Sequence, residues 1–155
     1  MKIQYVAGLS EFYRMEKEVE AAYRTYAAAQ GISESALQIL YSLYLADGET
    51  TQTEICADWS VPLQTINSSL KKLERAGLLR LVCKEENRRE KRILLTRAGE
   101  ALAEALIAPL VRAENESFLR LTRQEQDALI ALTRKQCDIL KEQLAQINSL
   151  AEEQP

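Results

Sequence analysis

Between Thr51 and Thr96 the chain sets a short polar helix pattern, an apolar-faced helix pattern and a basic hairpin pattern in immediate succession: TQTEICADWSVPLQTINSSLKKLERAGLLRLVCKEENRREKRILLT. Few small modules accept that order. Its charge narrows the choice further. From Lys71 to Arg97 ten basic residues stand against four acidic ones, a net +6, while the whole chain carries −3, which leaves −9 for the rest. An acidic chain that gathers its positive charge on one helix and one hairpin presents it to a polyanion.

Turn and cap residues divide the chain around this segment. Residues 5–29 repeat Val6, Leu9, Phe12, Val19, Ala22, Tyr23 and Tyr26 at helical spacing, and Gly31 suits a left-handed helix end. Ser33 is placed to cap a second helix from Glu34 to about Ala46, ended by Asp47-Gly48. Thr51 and Glu54 form a capping box for a third helix reaching about Asp58. Ser60 is expected to cap a fourth, with Pro62 tolerated in its first turn and Ile66, Leu70 and Leu73 facing inward up to Gly77. Leu78–Lys84 and Lys91–Leu95 read as strands, with residues 85–90 as the hairpin tip. Thr96 can cap a long helix in which Pro109 predicts a kink or local break. Thr122 and Glu125 form a second box, opening a last helix with Leu129, Leu132, Leu140, Leu144 and Ile147 on one face.

At 155 residues the chain fits one domain. No apolar run approaches the roughly 20 residues that cross a membrane, and the first twenty residues lack the apolar centre of a signal peptide, so the expectation is a cytoplasmic protein with no membrane partner. The sequence contains no histidine, which removes histidine acid–base and triad chemistry. Cys56, Cys83 and Cys137 are scattered and form no C-x-x-C pair, so no zinc site of the usual kind, no other metal site and no cofactor are expected. Each cysteine reads as a small buried apolar residue. No set of acid, base and nucleophile converges, and the chain is not expected to be an enzyme.

Helix, tight turn, helix and basic hairpin is the winged helix-turn-helix order, whose second helix enters the major groove. With Ile66, Leu70 and Leu73 facing inward, a 100° step places Gln64, Ser68 and Lys72 on the opposite side, flanked by Thr65, Asn67 and Lys71. Glutamine and asparagine can pair bidentately with adenine, serine and threonine serve any base edge, and lysine suits guanine or phosphate. An ordinary solvated helix face would look the same by polarity alone. The hairpin separates the two readings, because Arg88, Arg89, Lys91 and Arg92 within five residues suit a wing lying along the phosphates. Double-stranded DNA is therefore the expected partner. A winged-helix docking adaptor without sequence-specific DNA binding is the alternative, and it has no use for a charged wing tip.

The run Leu70-Lys-Lys-Leu73-Glu-Arg-Ala-Gly77-Leu78, then Asn87-Arg88-Arg89 and Leu94-Leu95-Thr96-Arg-Ala-Gly99, resembles the MarR family of bacterial transcriptional regulators across about residues 5–147. The family usually has aspartate where this chain has Asn87. The resemblance implies a mainly α fold with a small β-hairpin wing: a single domain, 1–155, in which a winged helix-turn-helix module at 33–97 is flanked by dimerisation helices at 1–30 and 98–150. It implies a homodimer on a palindromic operator, more often a repressor, released by a small aromatic ligand. Tyr23, Tyr26, Tyr41 and Tyr44 lie on the helices that would border that ligand, although tyrosines at helical spacing also serve as core packing. The apolar faces of the terminal helices agree with a dimer, since a 45-residue winged module could not cover them. The competing expectation is a monomer in which they fold back on that module.

Overall fold

Among the described residues, six helices and a three-stranded sheet follow in the order α1 (Ala7–Ala29), α2 (Glu34–Leu45), β1 (Glu49–Thr51), α3 (Gln52–Trp59), α4 (Leu63–Arg75), β2 (Leu79–Cys83), β3 (Lys91–Leu95), α5 (Arg97–Leu119) and α6 (Arg123–Glu152). The computed structural model describes residues 3–83 and 91–152. The chain divides into two compact units, residues 1–109 and 110–155.

In the first unit α2 is the central element. Ser33 caps it, its hydroxyl accepting from the Ala36 N–H at 3.2 Å. Its apolar residues sit on more than one side, and Leu37, Ile39, Leu40 and Leu43 are all buried. Ile55 of α3, Ile66 and Leu70 of α4, Ile93 of β3 and Ile107 of α5 complete the core. Each such side chain contributes about 1.5–3 kcal/mol by leaving water. Asp47 and Gly48, at φ 52° and 88°, reverse the chain after α2 and lead into β1. β1 pairs antiparallel with β3 (Thr50 opposite Ile93), and β3 pairs antiparallel with β2 (Leu81 opposite Ile93), so β3 is the middle strand. The sequence pattern predicts only the β2–β3 hairpin. A three-residue strand carries too little periodicity to read, and β1 exists because β3 offers it a free edge.

The capping box at the start of α3 is present in full. The Thr51 hydroxyl accepts from the Glu54 N–H at 3.2 Å while Glu54 accepts from the Thr51 N–H at 2.7 Å. The expected cap at Ser60 is not. Ser60 instead ends α3 in a left-handed conformation, φ 51°, and α4 starts after Pro62, whose fixed φ suits the entry and which has no side-chain donor or acceptor. α4 closes at Gly77, φ 71°, where the Leu78 N–H bonds the Leu73 carbonyl at 3.0 Å.

Thr96 ties the base of the wing to that closure. Its hydroxyl donates to the Gly77 carbonyl at 2.7 Å, its N–H to the Leu78 carbonyl at 3.1 Å, and the same hydroxyl accepts from the Gly99 N–H at 3.1 Å, capping α5. Gly99 packs against the Leu78 carbonyl so closely that a Cβ would lie 1.8 Å from its oxygen. The spacing Thr-x-x-Gly is thus one device: a cap and a contact surface for the same turn.

No break appears at Pro109; α5 runs through it. Pro109 has no N–H for the preceding turn, and in that turn the Tyr26 hydroxyl donates to the Leu106 carbonyl at 2.6 Å. α1, carrying Tyr26, is thereby tied to α5 one residue beyond the Ala105 carbonyl, which lacks its helical N–H because of Pro109.

The second unit holds the end of α5 and all of α6. Thr122 and Glu125 form the expected reciprocal box, with 2.7 Å from the Thr122 N–H to Glu125 and 3.3 Å from the Glu125 N–H to the Thr122 hydroxyl. Gln126 donates to the Phe118 and Leu121 carbonyls at 3.1 and 3.0 Å, satisfying the end of α5. Among the described residues of α6 none is buried. This corrects the expectation for cysteine: Cys137 is exposed on α6, whose described residues include none that is buried, and Cys56 is only half-buried on α3. No helix among the described residues is long and apolar enough to cross a membrane.

Candidate nucleic-acid interface

The interface is built on α4. Its inward face, Ile66, Ser69, Leu70 and Leu73, is buried against α2 and α3, and Ser69 satisfies its hydroxyl with that of Ser35 at 2.6 Å. Burial of that face leaves Gln64, Thr65, Ser68, Lys71 and Lys72 exposed, with Asn67 half-buried at the border. The structure therefore places the six helix residues where the helical phase puts them. Two of them are already engaged. The Ser68 hydroxyl donates to the Thr65 carbonyl at 2.9 Å, which leaves its lone pairs for a partner. The Asn67 side-chain oxygen accepts from Gln52 Nε2 at 2.6 Å.

Of the four basic wing residues, Arg88 and Arg89 lie outside the described residues. The other two, neighbours on β3, turn to different places, as alternation along a strand requires. Lys91 borders a groove of about 250 Å³ together with Gln52, Thr53, Asn67 and Lys71. Arg92 instead forms an ion pair with Glu49 of β1. Leu63, Leu70 and Leu81 add apolar lining to the groove. Lysine ammoniums and amide N–H groups beside apolar side chains can hold an acceptor-rich, flat edge in place. Gln52 and Thr53 are the groove residues that helical phase on α4 does not reveal. The available signal is their position directly after the Thr51 cap, at a helix start that an adjacent helix can meet.

The four tyrosines lie on α1 and α2. Tyr26 is committed to α5 through its hydroxyl. Tyr23 and Tyr44 are half-buried. Tyr41 meets Trp59 edge to face, ring centroids 5.4 Å apart, and Trp59 Nε1 donates to Ser42 at 2.8 Å. That pair borders a hollow of about 510 Å³ whose other walls include Leu45, Glu49, Glu54 and Asp58. Among the described residues no group of histidine, cysteine and carboxylate side chains could hold a metal ion.

The sequence from residue 32 to 99 matches the winged helix DNA-binding domain family. No curated protein sequence matches the chain. Solved structures do. A MarR family regulator from Neisseria meningitidis superposes with a TM-score of 0.77 over 91% of this chain and 99% of its own, at 21% identity. MepR of Staphylococcus aureus, solved as a DNA complex, gives 0.68 over 88% and 99%, at 24% identity. BpsR of Bordetella bronchiseptica, whose DNA binding is regulated by 6-hydroxynicotinic acid, gives 0.65 over 89% and 99%, at 17% identity.

Proposed function

We propose that this chain, whose residues 32–99 match the winged helix DNA-binding domain family and whose fold superposes on MarR family regulators, is a sequence-specific transcriptional regulator, a repressor that binds a palindromic operator as a homodimer. The observation that carries the reading is the convergence of Asn67, Lys71 and Lys91 on one groove between α4 and the base of the wing, beside an exposed helix face of Gln64, Thr65, Ser68 and Lys72. Base edges would meet Gln64, Asn67 and Ser68, while Lys71, Lys72, Arg88, Arg89 and Lys91 would meet phosphate or the minor groove. Arg92 would have to exchange Glu49 for phosphate to join them.

The homodimer reading rests on the terminal helices. Leu129, Ile130, Leu132, Leu140, Leu144 and Ile147 of α6, with Met15 and Val19 of α1, are exposed apolar side chains that a second copy would cover. A two-fold dimer demands inverted half-sites about one helical turn apart, roughly 10–10.5 bp. Release by a small aromatic compound fits best at Tyr41, since its hollow with Trp59 is open and Trp59 is the only tryptophan in the chain. Its fluorescence should therefore change on titration with a phenolic acid that releases DNA.

Salt dependence tests the proposal. Removing one phosphate contact per protomer, as in Arg89→Ala, should weaken binding to every duplex and lower the slope of log K against log salt by about 1 per contact. Gln64→Ala should cost about 1–3 kcal/mol on the selected operator alone. Unchanged affinity and slope in Arg89→Ala, together with no footprint on any sequence selected from random DNA, would overturn it.

A further inference from the structure

We propose that Gln52, on α3, sets the base preference of Asn67, on α4, by fixing which edge of the Asn67 amide is offered to DNA, and that the base so chosen is guanine. The inference rests on α4 being the recognition helix. Gln52 is the first residue of α3, held by the capping box beside it. Its Nε2 lies 3.5 Å from the Leu63 carbonyl oxygen and 2.6 Å from Asn67 Oδ1. A backbone carbonyl can only accept, so Leu63 orients Gln52 with its N–H groups toward α4. Those N–H groups in turn demand an oxygen from Asn67. Both residues are half-buried, which limits the freedom of either amide to turn over.

The consequence is chemical. An asparagine that reads adenine must accept from N6 and donate to N7, using both halves of its amide. Here the oxygen is turned to α3, where it spends one of its two lone pairs on Gln52, and the half of the amide turned away from Gln52 is its pair of N–H donors. The groove around it adds two cationic donors, the ammoniums of Lys71 and Lys91. In the major groove guanine alone presents two adjacent acceptors, N7 and O6, with no donor among them. The Asn67 N–H pair and the two ammoniums match that edge, whereas at adenine an Asn67 N–H would face the N6 N–H.

The experiment is selection of bound duplexes from random DNA with the full-length protein and its variants, followed by affinities for the selected duplex and its single-base changes. Asn67→Ala should lose preference at one position per half-site, which identifies the position this residue reads. The wild type should select guanine there, by about tenfold over adenine. Gln52→Glu replaces the donor by an acceptor, so the Asn67 amide should reverse and offer its oxygen, moving preference at that position to adenine or cytosine. Gln52→Met, which keeps length without a hydrogen bond, should reduce the guanine preference toward parity and covers the case in which Gln52→Glu does not fold. Selection of adenine by the wild type, or an unaltered guanine preference in whichever Gln52 variant folds, overturns the inference and leaves the regulator reading intact. Absence of any selected sequence for the wild type overturns both.

Discussion

α4 and α6 are written in the same apolar period and end in opposite environments. In α4, Ile66 and Leu70 are 0% and 2% exposed. In α6, Leu132 and Leu144 are 66% and 51% exposed. The period states that a helix has a face to cover, and it does not state which atoms cover it. α4 finds α2 and α3 within its own unit, whereas the large apolar side chains of α6, Leu129 to Ile147, stay 40–66% exposed. Apolar side chains exposed in such number mark an interaction surface, and on the dimer reading proposed above a second copy covers them.

The largest expected effect breaks this contrast at α6. The double change Leu140→Glu and Leu144→Glu should raise the dimer dissociation constant by at least 100-fold and remove operator footprints with it, while the winged unit stays folded. Sedimentation beside footprinting measures both, and a folded monomer that still protects two half-sites would defeat the dimer reading. Next comes α4. Ile66→Ala should cost about 3 kcal/mol of unfolding free energy through the cavity it leaves. Leu132→Ala, made in the monomeric double variant, should shift stability by less than about 0.5 kcal/mol. Equal costs in denaturant titrations would show that α6 is covered within the monomer after all.

Glycine substitution sharpens the same division on a smaller scale. Gly99→Ala should cost about 2 kcal/mol, because the Leu78 carbonyl must move to admit a Cβ. Gly8→Ala, on α1 with nothing within 4 Å of a new Cβ, should be neutral or gain up to about 1 kcal/mol from helix propensity. Thermal melts of the two variants decide the matter. The smallest effect concerns pH. The Thr122 N–H and hydroxyl bonded to Glu125 hold its carboxyl below the ordinary value of 4.5. A lowered folded-state pKa means that the box stabilises α6 above that ordinary value and loses its contribution as pH falls toward the lower one. Thr122→Ala should flatten that acid limb of α6 helicity, followed by circular dichroism, and an identical limb in both proteins would remove the box as its source.

Much of the site was legible before the fold was known, for reasons that can be named residue by residue. Thr51 with Glu54 and Thr122 with Glu125 could be read because a capping box is a local contract between residues three apart. Gln64, Ser68 and Lys72 could be placed outward because Ile66, Leu70 and Leu73 fix the phase of α4. Ser60 was misread for the converse reason: serine also accommodates a left-handed helix end, and only the entry of Pro62 decides between the two uses. Cys137 was misread because burial depends on neighbours that a single residue does not announce.

The sequence by itself determined the order of helices and hairpin, the apolar face that each helix carries and the concentration of positive charge from Lys71 to Arg97. These follow from rules acting within a turn or two of the chain. Only the tertiary structure decided that β1 would add a third strand, that Lys91 would join α4 while Arg92 joined Glu49, and that Gln52 would claim the oxygen of Asn67. Each of those joins residues far apart in sequence, and no local preference encodes a contact whose two halves are brought together only by closing the chain around a shared core.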